Sequence, residues 1–164
     1  MLQPIHIPCT TPTRYLSFNR ALNLRLPGEL TGDWHFELAF FCTSDEPAKT
    51  ARLAGVGKTT DTTPTLGDLG VRDMAAVLSQ KKVSDGAQPI YVANHFRAIA
   101  DLAFSDLIAG RIPPVVTPET VNQWLDTKEQ VQALVELYLT PLQGQLSKAP
   151  LAAFNKWLPT IRYR

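Results

Sequence analysis

The chain has 164 residues, 45% of them hydrophobic, 19% charged and 9% aromatic. That is one ordinary core's worth of chain, too apolar and too aromatic to stay disordered. Two cysteines, Cys9 and Cys42, make no disulfide framework, and no apolar run reaches the roughly 20 residues that cross a bilayer. The start, Met-Leu-Gln-Pro-Ile-His, has no basic stretch followed by an apolar stretch, so no signal peptide is read and a cytoplasmic location is expected.

The net charge of +1 says less than its distribution. Residues 1–26 hold Arg14, Arg20 and Arg25 and no acid, and residues 148–164 hold Lys148, Lys156, Arg162 and Arg164 and no acid. The span between carries 9 basic and 15 acidic residues. Basic ends on an acidic middle suit an acidic partner or phosphates, and equally well neutralise their own middle.

Three prolines at four-residue spacing make residues 1–13 an extended arm, lying on its own core through Leu2, Ile5 and Ile7 or reaching a partner. RYLSFNRA reads as a short helix capped by Thr13 or as the approach to a strand. Leu22, Leu24 and Leu26 alternate with Asn23 and Arg25, and Trp34, Phe36, Leu38 and Phe40 alternate with His35, Glu37 and Ala39. Period-two alternation on both sides of a Pro/Gly-rich segment predicts a β-hairpin. Residues 43–70 are polar and rich in Gly and Pro. They predict a largely irregular loop anchored by Leu53, Val56, Leu66 and Leu69.

VRDMAAVLSQKK predicts a short helix with Met74, Val77 and Leu78 inward. Thirteen prolines punctuate the chain, and the longest interval without one, Pro89 to Pro113, is where the longest helix is expected. Val92, Phe96, Ile99, Ala103 and Leu107 recur there at helical spacing, with Ala100, Phe104 and Ile108 beside them. A stripe that broad belongs to a helix at the centre of the core, with Gly110 past its end. Thr117-Pro118-Glu119 opens the next helix, Asp126 with Glu129 the one after, and LAAFNKWL forms the last after Pro150. The reading is a single α+β domain, an N-terminal β-hairpin packed on a mostly helical C-terminal half, with an all-α domain as the alternative.

The motifs argue against most chemistry. GVGKTT lacks the first glycine of a phosphate loop, since position 52 is arginine, and it lacks the flanking strand and helix. His6, Cys9, His35 and Cys42 do not form the close pairs of a structural zinc site, so no metal and no cofactor are expected. His95, Asp101 and Asp106 share a helix without the mutual reach of a nucleophile, base and orienter, and His95 reads as a partly exposed helix residue. No catalytic residue is assigned. What remains is a small interaction protein that binds and regulates or neutralises a partner protein, antitoxin-like by analogy of size alone. Trp34, Phe36 and Phe40 are its expected anchors, because interface centres use aromatics. The alternative is a nucleic-acid-binding module whose basic termini, Arg14, Arg20, Lys156, Arg162 and Arg164, touch phosphates. Homo-oligomerisation fits either reading.

Overall fold

The computed structural model describes residues 1–31 and 36–164, so Trp34, His35 and the start of the expected second strand lie outside the described residues. The fold is α+β, with strands concentrated in the N-terminal part and a largely helical C-terminal half. A mixed sheet of four short strands forms its centre: β2 (Arg14–Leu16), β4 (Leu53–Gly55), β5 (Val71–Asp73) and β6 (Tyr91–Ala93), in the order β4-β2-β6-β5. β2 runs antiparallel to β4 and parallel to β6, while β5 and β6 are antiparallel. The parallel pair Leu16 and Val92 joins segments more than 70 residues apart, which seats the helix following β6 against the early part of the chain. A separate ribbon pairs β1 (Gln3–Pro4) with β3 (Cys42–Thr43). Through it the N-terminal arm lies on its own molecule, with Ile5 buried and Leu2 left outside.

Gly55 closes β4 at φ +110, where a Cβ would overlap the Thr13 carbonyl oxygen. Only glycine fits there. Gly57, also at positive φ, and Lys58 sit in the turn that follows, held by Lys58 N–H to Gly55 O at 3.0 Å. These glycines serve a tight strand-end turn that leaves residues 56–59 exposed between buried Gly55 and Thr60.

Among the described residues seven α-helices accompany the strands: α1 (Phe18–Leu22), α2 (Thr63–Leu66), α3 (Ala75–Gln80), α4 (His95–Ile108), α5 (Pro118–Trp124), α6 (Lys128–Ala133) and α7 (Lys148–Trp157). α4 is the central one, as its apolar stripe demands, and it packs on α1, on α7 and on the π-helical segment Leu134–Leu139 that continues α6. Asn94 caps it by accepting the Arg97 N–H at 2.9 Å, and Gly110 follows its C-terminus at φ +78. Ala98, Ile99, Ala100, Ala103 and Leu107 are fully buried along it. Thr117 caps α5 as expected; the cap of α6 is Thr127 with Gln130, one residue beyond the expected Asp126 and Glu129. The Trp157 indole N–H donates to Val116 O at 2.8 Å, fastening α7 onto the approach to α5.

Two expectations are corrected by these elements. The alternation at 22–26 is not a strand: residues 18–22 are α1, and Leu22, Leu24 and half-buried Leu26 reach the core from a helical turn and the extended chain after it. Residues 38–40 likewise form a 3-10 turn, and the true N-terminal strands lie at 3–4, 14–16, 42–43 and 53–55. Alternation marks inward residues in any extended run; it forms a strand only where a neighbour supplies the backbone partners. Within 43–70, β4 and α2 supply regular structure and bury Leu53 and Leu66, while Val56 and Leu69 stay exposed.

Candidate functional site

Helix α4 carries an ion pair inside the core. Arg97 and Asp101, one helical turn apart, are both 0% exposed. Asp101 Oδ2 accepts the Tyr15 hydroxyl at 2.8 Å and the Ser17 hydroxyl at 2.7 Å, and Oδ1 accepts Thr62 at 2.7 Å. Arg97 donates through Nε to Thr62 Oγ1 at 3.0 Å, and through its Nη atoms to Leu69 O at 2.7 Å and Gly67 O at 2.9 Å. The two charges stand 3.8 Å apart with the Thr62 hydroxyl bonded to both. Burial drives the Asp101 carboxyl above its usual range, with Arg97 and the three hydroxyls pulling the other way. Burial, reinforced by the Asp101 charge, pushes the Tyr15 phenol up as well. Tyr15, Ser17 and Thr62 are buried too, so the cluster lies within the core. It ties β2, the 61–69 segment and α4 together and holds that junction in one arrangement.

His95 is corrected from a partly exposed residue to a buried one, at 1% exposure. It opens α4, but it sits where Glu29 and Arg72 close over the helix start. Arg72 donates to both Glu29 oxygens at 2.8 Å and to Val92 O at 2.8 Å. Neither imidazole nitrogen has a hydrogen-bond partner; the Leu22 carbonyl is near without completing a bond. Burial first, then the Arg72 charge, lower the His95 pKa to about 4. Burial works to raise the Glu29 carboxyl, and the Arg72 bonds and charge outweigh it and hold it below its ordinary value. Burial thus keeps the His95 imidazole neutral. Among the described residues no group of three His, Cys, Asp or Glu converges on a metal position, and Cys9 and Cys42 are free thiols.

The surface around residues 36–43 has a different character. The Phe36 ring stacks on Phe41 with centroids 5.1 Å apart, and Lys81 Nζ stands 4.3 Å from its centroid. Phe40 is half-buried, its carbonyl accepting Arg20 Nε at 2.7 Å. Beside it, Leu38 is 47% exposed and Leu2 65% exposed, and the two line one cavity of about 380 Å³ floored by the β1–β3 ribbon. The exposed Lys49–Asp45 pair, 3.3 Å apart, stands at its rim. Leu2 and Leu38 were not singled out in the sequence. The signal for Leu38 was its place in the aromatic alternation, and Leu2 carried none beyond its position in the arm.

Arg14 and Arg20 are half-buried and Lys156, Arg162 and Arg164 exposed. Arg164 pairs with Glu119 at 2.7 Å. Arg162 lines a groove with Lys128 and Tyr163, whereas Arg20 lines a separate cavity with Phe18 and Arg52. No described helix is long and apolar enough to cross a membrane. Comparison with protein-family models, with curated proteins and with solved structures finds no match for this chain.

Proposed function

We propose that this protein is a protein-binding module that regulates or neutralises its partner, and that it docks through the face formed by Leu2, Leu38 and Phe40. The observation that carries the reading is the convergence of exposed Leu2 and Leu38 on one cavity with a charged rim. An apolar centre ringed by polar groups is how specific interfaces are built, since the centre loses water while the rim stays wet. A partner side chain of aliphatic or aromatic type would fill the cavity, with Phe40 as a neighbouring wall.

The test is purification of the tagged full chain from its native host beside Leu38→Glu and Leu2→Glu/Leu38→Glu. A protein retained in fixed ratio by the wild type and lost by both variants, with melting temperatures unchanged, is the expected outcome. Retention by the double variant, or no retained protein with the wild type, contradicts the proposal. Nucleic acid retained at low salt and released steeply as salt rises would favour the basic residues instead.

A further inference from the structure

The cavity of about 270 Å³ between α1, Phe40 and the start of β4 has a composition found nowhere in the interior. Its lining is Ser17, Phe18, Asn19, Arg20, Phe40 and Arg52, with two arginines and no carboxylate. Arg20 is half-buried, and Phe40 O is the acceptor for its Nε, leaving both Nη atoms without an acceptor among the described residues. Arg52 lies with its guanidinium carbon 4.0 Å from the Phe18 ring centroid. Its Nη2 donates to Thr60 Oγ1 at 2.9 Å and Ser105 Oγ at 3.2 Å, and Nη1 and Nε have no acceptor among the described residues. Stacking and two hydrogen bonds thus fix the Arg52 plane before any ligand arrives. Phe18, which carries that stack, holds φ +63, an unusual left-handed conformation for a bulky residue that turns its ring under the guanidinium. The carboxylate behind the floor, Asp101, accepts the Ser17 hydroxyl and is already matched by Arg97.

We propose that this cavity is a phosphate-binding site, taking the dianionic group of a phosphate monoester between Arg20 and Arg52. Two guanidinium forks with no carboxylate among the described lining residues match a group of charge near −2, whereas one carboxylate would neutralise half of them. Burial lowers the Arg20 guanidinium below its ordinary value with no neighbouring acid to offset it, the condition an incoming dianion relieves. The apolar walls, Phe18 and Phe40, leave room for part of the ester group. The site shares Phe40 with the docking face and takes its charge from Arg20 and Arg52, which that face does not use.

The experiment is titration of the full chain with inorganic phosphate and with phenyl phosphate, followed by backbone amide shifts and by calorimetry. Saturable shifts centred on residues 17–20 and 52 are expected, with phenyl phosphate tightening as pH rises through about 6, where its second ionisation falls. Acetate at equal ionic strength should bind at least tenfold more weakly. Arg20→Gln/Arg52→Gln should weaken phosphate at least tenfold, while Arg111→Gln, removing a cation paired with Asp106, leaves it unchanged. Should the double variant fail to fold, Arg52→Gln alone, at an exposed side chain, carries the same expectation. Acetate binding as tightly as phosphate, affinity within twofold in the folded arginine variants, or shifts that neither saturate nor localise would overturn the proposal.

Discussion

Arg97 and the Arg20–Arg52 pair are the same side chain in opposite circumstances. Arg97 is sealed, donates to a hydroxyl and two carbonyls, and faces a carboxylate on its own helix. Arg20 and Arg52 are fixed by one and two hydrogen bonds respectively, and face an open cavity with donors to spare. The difference separates a charge that holds the fold from charges that await a ligand. A guanidinium whose three nitrogens each bond inside the molecule is committed to the fold, and removing its partner strands a buried charge.

The largest effect should come from breaking the sealed cluster on one side only. Asp101→Ala leaves Arg97 buried and unpaired and is expected to lower stability by about 3–5 kcal/mol, read by urea unfolding. Arg97→Met/Asp101→Leu, which removes both charges, should recover most of that loss; if it does not, the cluster contributes more than charge pairing.

Next comes the buried histidine. The folded His95 pKa of about 4 lies below the ordinary 6.5, so stability is fully present above 6.5 and is lost as pH falls toward 4. The proton linkage amounts to roughly 3 kcal/mol. The difference between wild type and His95→Phe, followed by unfolding from pH 7 to 4, should carry that slope. Glu29, held low by Arg72, acts in the same direction, losing stability as pH falls through its folded value.

Tyr15 gives the alkaline counterpart. Its phenol is raised above the ordinary value near 10, so stability is present below that pH and lost as pH climbs beyond it. A Tyr15→Phe variant should show a shallower loss between pH 9.5 and 11. Smallest of all, Arg20→Gln and Arg52→Gln should each change stability by less than about 1 kcal/mol. A loss comparable to that of Asp101→Ala would mean that these arginines hold the fold and would erase the contrast.

The helical half was legible because its signals are long-range and redundant: an apolar stripe along 95–108, a glycine past its end, a threonine cap at 117 and a capping pair read within one residue of the true cap at 127. The sheet was not. Its strands are three residues each, too short to show a period, and Val92 of β6 falls in phase with the stripe of the helix that follows. Arg97 and Asp101 did leave a trace. A helix apolar nearly all round has no polar face to offer them, and their spacing of four puts them side by side. The carbonyls and hydroxyls that complete the cluster come from residues 15–17 and 62–69, a convergence that only the topology creates. The same holds for the two cavities: Leu2 meets Leu38, and Arg20 meets Arg52, through pairings no local pattern encodes.

The most direct test of the docking face is a photo-crosslinking residue placed at position 38 and, as a control, at the exposed position 137, with the full chain expressed in its native host. One discrete protein adduct from position 38 and none from position 137 is the predicted result. No adduct at 38, or the same adducts from both positions, would contradict the assignment of Leu2, Leu38 and Phe40 as the face through which this protein acts.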